Sequence, residues 1–143
     1  MSYATSAEIQ AYIPKWRVAG DTNPSTTEVD AFCVRLSARI DGIAAAKGYV
    51  IPISGTASLD IVKSICLVGT AWYVGRSLFP NGNVEAVDDY RREFEQMMLE
   101  FTQDQIVLSD APKASDGAVS TITSSIPSVA SAMVPFFTRS MVF

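Results

Sequence analysis

The segment "SLDIVKSICLVGTAWYVGRSLF", residues 58–79, determines the fold of this chain. Its apolar residues cover more than one face of a helix, and no charged residue interrupts them between positions 65 and 75. A helix that is apolar almost all round is buried on most of its sides. In a chain of 143 residues this predicts either the central helix of a bundle or a helix that also packs on another subunit. In the second case we expect Val68, Trp72 and Leu78 to form the contact between subunits.

The same segment raises the question of a membrane span. A spanning helix needs about 20 apolar residues. Lys63 and Arg76 leave only twelve residues between them, so the sequence predicts a helix inside the protein and no contact with a membrane.

Two helices are predicted upstream. "STTEVDAFCVRLSARIDGIAAAKG", residues 25–48, repeats its apolar residues with the 3.6-residue period of a helix. Ser25 or Thr26 is the expected N-cap, and Gly48 is the expected stop. A shorter helix, "TSAEIQAYI", opens with Thr5 or Ser6 as its cap and ends before a proline.

A fourth helix is predicted in "NVEAVDDYRREFEQMMLEFTQDQIVL", residues 83–108. The fold class is therefore all-α: a small four-helix bundle of one short and three longer helices, followed by an extended C-terminal arm. The bundle is assigned to residues 1–108 and the arm to residues 109–143.

Charge is concentrated in the fourth helix. The net charge of the chain is −4, and residues 84–108 hold seven acidic side chains against two arginines. The chain has no cluster of Lys and Arg of the kind that binds phosphate. An acidic face is usually only solvated. The alternative is that Asp88, Asp89, Glu93 and Glu95 form a functional acidic surface.

Residue types that carry chemistry are scarce. The chain has no histidine, which removes the commonest general base and metal ligand. Cys33 and Cys66 lie in apolar helical patterns and are expected to be buried free thiols rather than a disulfide. An enzyme would have to draw its acid–base chemistry from the carboxylates of the fourth helix, with no pocket-forming motif beside them. We therefore predict no catalytic residue, no metal and no cofactor.

The last residues, "VPFFTRSMVF" at positions 134–143, include seven apolar side chains in ten. Exposed apolar groups at this density indicate an aggregation hazard or a docking sequence, and Pro127 and Pro135 favour an extended segment that orders on a partner. The alternative is that this segment folds back on its own domain. The residues expected to dock on a partner chain are Ile126, Val129, Met133, Val134, Phe136, Phe137, Met141, Val142 and Phe143.

The order of these parts resembles the head-to-tail connector (head completion, or adaptor) proteins of long-tailed bacteriophages. "YATSAEIQAYI" leads into the short helix, and the second helix closes in "RIDGIAAAKGYVIPI". The Ile40–Asp41 pair followed by Gly48, Tyr49 and Pro52 matches the family's turn. In the fourth helix "YRREFEQMM" matches the family's stripe of Tyr, a basic residue and an apolar residue. The resemblance covers residues 3–105.

The resemblance implies a structural virion protein without enzymatic activity, made in the cytoplasm of the bacterial host. Members of the family form a ring, usually of twelve copies, at the head–tail interface below the portal protein. The ring extends the DNA channel, through which the genome passes without specific binding, and it offers a platform for the tail or its stopper. Terminal arms commonly reach the portal and neighbouring subunits. The docking residues named above would then form a portal-binding arm, and Asp88, Asp89, Glu93 and Glu95 would line the DNA channel.

Two further classes of protein remain open from the residues alone. The first is a small helical interaction module, such as a regulator that binds one partner through its C-terminal tail. The second is a helical DNA-binding domain, which predicts a basic helix. The regular helix after Ser25 offers only Arg35, Arg39 and Lys47 against three acidic residues.

Overall fold

The computed structural model describes residues 1–82 and 84–114, so the predictions for residues 115–143 lie outside its description. Within the described residues the protein is all-α, as the sequence predicts. The four helices are α1 (Ser6–Tyr12), α2 (Thr26–Ala46), α3 (Thr56–Leu78) and α4 (Glu85–Thr102). The β-structure in this part of the chain consists of two isolated bridges.

The first two helices begin at reciprocal caps. Thr5 and Ser25 each accept a hydrogen bond from the backbone N–H three residues on, and the carboxylates of Glu8 and Glu28 accept from the N–H of the cap residue. Each of these capping boxes satisfies N–H groups that a helix start otherwise leaves without a partner. The predicted starts of both helices are confirmed.

Helix α3 lies at the centre of the bundle and contacts α1, α2 and α4. By length and composition it could cross a membrane, and half of its most apolar stretch is buried inside the molecule. Lys63, near its N-terminal end, forms an ion pair with Glu8 at the start of α1. These observations match a core helix, which is the first of the two predicted roles.

Close contact between α3 and α4 depends on a glycine. A Cβ atom at Gly69 would lie 2.7 Å from the ring of Phe94 and 3.0 Å from a methyl carbon of Leu36. Because Gly69 has no side chain, the Phe94 ring packs directly on the α3 backbone between the helices. This ring and the buried side chains of α2 and α3 form one continuous core.

The compact unit of the chain runs from Met1 to Lys113, five residues beyond the predicted boundary at 108. Leu108 and Ala111 are buried, and the N–H of Val50 donates to the carbonyl of Pro112 at 2.9 Å. The polar residues 109–113 thus belong to turns that pack on the bundle.

Candidate interaction surfaces

Two of the residues that carry the family resemblance, Tyr3 and Asp41, meet in one cluster, and their role there is structural. The Tyr3 hydroxyl donates to the carboxylate of Asp41 and accepts from the N–H of Ile53 at 2.8 Å. The N–H of Tyr3 donates to Ser37 Oγ at 2.9 Å. Burial and the Asp41 carboxylate raise the pKa of Tyr3 to about 12, so the hydroxyl remains a donor at neutral pH. This cluster ties the N-terminal segment to α2 and to the extended segment beyond it.

Tyr49 makes a second tie on the same side of the fold. The preceding residue, Gly48, has a φ of 80° and turns the chain out of α2. The Tyr49 ring is buried, its hydroxyl accepts from the N–H of Leu108 at 3.4 Å, and Lys113 Nζ lies 5.0 Å from the ring centroid. The turn after α2 therefore anchors the residues that follow α4.

The carboxylate of Asp110 caps α3. It accepts hydrogen bonds from the N–H groups of Ala57 and Ser58, both at 2.9 Å, and from the Ser58 hydroxyl. The N-cap residue, Gly55, supplies no side-chain bond of its own. This contact was not predicted from the sequence, although a long helix without a capping side chain signals that a cap must come from elsewhere.

The four acidic residues expected to line a channel are spread over the side of α4 that faces away from its buried residues. At about 100° per residue, Glu93 and Glu95 lie roughly 160° apart around the helix axis. Glu93 lies on the flank next to α1. The burial of Tyr12 and the nearby charge of Glu93 together raise the pKa of the Tyr12 hydroxyl. Glu95 lies on the opposite flank, where it and Arg39 of α2 line the same depression.

Two of these acids have partners on their own helix. Asp88 lies 3.6 Å from Arg91, and Asp89 lies 3.8 Å from Arg92. By helical position Asp88 falls on the flank of Glu95 and Asp89 on the flank of Glu93. The four acids thus lie in two pairs, one on each flank of the side of α4 that faces away from its buried residues.

The three residues expected to contact another subunit differ in exposure. Val68 is only 2% exposed and belongs to the core of its own chain, so it has no surface to offer to a neighbour. Trp72 and Leu78 are partly buried and keep some exposed surface. The Trp72 ring stacks on Tyr73 with a centroid distance of 4.9 Å and packs against Phe94 at 5.9 Å.

An open groove lies between α2 and α4, with α3 as its floor. We call it the α2–α4 groove. Its volume is about 340 Å³, and Leu99 on its rim is 54% exposed. It is lined by Arg39, Ile43, Trp72, Phe94, Glu95, Met98, Leu99 and Thr102.

Two further apolar depressions are present. One, of about 310 Å³, lies beside α1 and is lined by aromatic rings and by Lys15. There Trp16 packs edge-on against Tyr90, at 5.8 Å between centroids. The other, of about 570 Å³, is shallower and is lined by Asp60, Ile61, Ser64, Met97, Gln105, Ile106 and Val107.

The two cysteines are buried free thiols, as predicted. Cys33 Sγ lies 3.5 Å from Thr70 Oγ1, and Cys66 Sγ lies 3.7 Å from Ser37 Oγ. The hydrogen bond between the two thiols and their burial raise the pKa of Cys33. Across residues 1–82 and 84–114, no group of three His, Cys, Asp or Glu side chains comes together as metal ligands would.

Comparison of the chain with models of protein families, with curated proteins and with solved structures finds no significant match.

Proposed function

We propose that this chain is a structural component of a bacteriophage virion, which assembles as a ring between the portal and the tail and extends the DNA channel. The observation that carries the proposal is the order of parts in the sequence. A short capped helix, a long helix closing on Ile40 and Asp41 before a Gly–Tyr turn, an almost wholly apolar helix and an acidic helix follow one another as in the connector proteins.

The distribution of apolar surface supports an assembly role. A bundle with its own closed core also presents three open apolar depressions, each bordered by at least one charged side chain. Apolar surface with a polar border is typical of sites that meet other proteins. In the proposed ring these depressions take the contacts between copies and with the proteins above and below.

The arm is proposed to dock on the portal. The residues assigned to this contact begin at Ile126 and lie outside the described part of the chain. Support comes from their composition, since apolar side chains at that density gain their burial on a partner.

The acidic helix is proposed to face the DNA channel with one flank. Like charge repels the DNA backbone and lets the genome slide. Because Glu95 borders the α2–α4 groove, the flank that carries Asp89 and Glu93 is the one assigned to the lumen.

Portal rings of the same phage provide the test. The full chain is expected to sediment with purified portal rings, and a variant lacking residues 126–143 is expected to fold but to remain in the supernatant. Circular dichroism of both proteins is the control for folding. If the shortened chain attaches as well as the full chain, the arm is not the docking element. If neither attaches, the chain is not a connector, and the alternative of a regulator with a different partner gains support.

A further inference from the structure

We propose that the α2–α4 groove binds residues 137–141 of a second copy of this chain. The inference depends on the proposed function in one respect: several copies of the chain must lie next to one another in an assembly. It identifies the surface that one copy presents to the next, and it leaves Ile126, Val129 and Met133 of the arm for the portal.

The groove has an apolar floor and two charges on opposite walls. Trp72 and Phe94 form the floor, and the exposed side chain of Leu99 forms part of the rim. Arg39 stands on the α2 wall and Glu95 on the α4 wall. Within the described part of the chain neither of them takes part in an ion pair. A ligand of this groove would therefore be apolar, with one cationic group for Glu95.

The sequence of the arm has this chemistry at one place. Phe137, Arg139 and Met141 alternate with Thr138 and Ser140. In an extended segment alternate side chains point to opposite sides, so this alternation predicts one large, mainly apolar face and one small polar face. The same face carries the positive charge, because Arg139 is the only charged side chain in residues 117–143.

The two patterns match group by group. The apolar side chains of Phe137 and Met141 would cover the floor, and Arg139 would pair with Glu95. The remaining charge of the groove, Arg39, would lie over an aromatic ring of the arm, a contact that arginine commonly makes. The depression beside α1 fits less well, since its charged residue is Lys15, which repels Arg139.

The chain between the bundle and residues 137–141 is long enough for these residues to reach the groove of a second copy. The 24 residues from Ala114 to Phe137, which are 23 residue-to-residue steps, can span up to roughly 75 Å when extended. This reach exceeds the length of α3, which is about 35 Å. A neighbouring copy therefore lies within range of the arm.

The test traps the contact between two full-length chains. One chain carries Leu99→Cys on the groove rim, and a second chain, distinguished by a size tag, carries Ser140→Cys on the polar side of the arm. A short bis-maleimide is expected to join the two chains in a yield that rises with protein concentration. The matched control is Val34→Cys, because Val34 is 50% exposed against 54% for Leu99 but lies on the other side of α2 from Arg39. The chain without either substitution is the control for crosslinking through Cys33 and Cys66, whose side chains are fully buried.

Charge reversal supplies a second readout. Glu95→Arg in the groove chain is expected to lower the yield about two- to fivefold, the range for an exposed ion pair. Arg139→Glu in the arm chain is expected to restore it.

Equal yields at Leu99→Cys and Val34→Cys, or no joined chains at either, would overturn the proposal. A chain with both Leu99→Cys and Ser140→Cys that closes on itself, while mixed chains do not join, would overturn the second copy as the occupant. Portal sedimentation is independent of this assay, so a chain that binds the portal without joining copies removes only this inference.

Discussion

At the scale of single residues, the start of α3 depends on two positions that are far apart in the chain. Asp110 supplies the cap, and Gly55 makes room for it. A Cβ atom at Gly55 would lie 2.7 Å from the Asp110 side chain and from its carbonyl oxygen, and the Gly55 φ of 104° belongs to the region that favours glycine. The central helix is thus tied to the end of the compact unit at this one point.

We predict that Gly55→Ala destabilises the protein by about 1–3 kcal/mol, the cost of a strained backbone position. Urea unfolding measures this cost. Gly42→Ala is the control, because Gly42 lies inside α2 and a Cβ atom there would have no neighbour within 4 Å, so alanine should stabilise by about 0.5–1 kcal/mol. Stabilisation by both substitutions would show that Asp110 does not pack against Gly55.

A pH dependence follows from the same cap. The Ser58 hydroxyl, together with the N–H groups of Ala57 and Ser58, lowers the pKa of Asp110 from its ordinary value of 3.8. The unfolded chain lacks these donors. The carboxylate therefore contributes stability above its unfolded pKa and loses that contribution as the pH falls through its lower folded pKa.

We expect Asp110→Asn to unfold at a lower urea concentration than the natural chain at pH 7. The difference should narrow as the pH falls below about 4. Asp21→Asn is the control, because Asp21 makes an exposed pair with Arg17 and caps no helix. A difference that is the same at pH 7 and at pH 3 would contradict the capping role.

The sequence predicted the caps that are local and missed the one that is not. Thr5 with Glu8, and Ser25 with Glu28, lie three residues apart, and that spacing alone specifies the contact. Asp110 lies 52 residues from Ser58, so only the packing of the whole chain brings them together.

At the scale of helices, the apolar pattern predicted which segments are helical and which of them is central. The pattern of α4 was harder to interpret, since acids occupy both flanks of its buried stripe. Residue type alone groups Asp88, Asp89, Glu93 and Glu95 together. The helical period divides them into two pairs, and only the positions of α1 and α2 in the fold show which pair borders the groove. Val68 was placed at a subunit contact because α3 has more apolar surface than one stripe needs, whereas three neighbouring helices take up that surface.

The close contact of α3 with α4 predicts how a methyl group added at Gly69 changes the stability of the protein. Gly69→Ala is expected to destabilise the protein by about 1–3 kcal/mol through overpacking, although alanine favours a helix more than glycine does. Combining it with Phe94→Leu should cost less than the sum of the two single changes, because a smaller side chain relieves the clash. Thermal unfolding of the four proteins measures the coupling, and strictly additive costs would contradict the direct packing of Phe94 on Gly69.

At the scale of the whole molecule, a compact unit runs from Met1 to Lys113, and the sequence after it has a different composition. The sequence placed the end of the helical part at residue 108, five residues early, because Ser109 and Asp110 resemble the start of a linker by residue type. The open groove between α2 and α4 had no signal in the sequence, since it results from two helices that stand apart across a third.

The proposal on which the others depend is that copies of this chain form a ring at the head–tail interface of a virion. Electron cryomicroscopy of the native phage particle, at the vertex that carries the tail, tests it without any intermediate step. We predict a ring of copies below the portal, with the bundle of α1–α4 fitting each unit and the flank of Asp89 and Glu93 facing the channel. Density at this vertex into which the bundle does not fit would contradict the proposal.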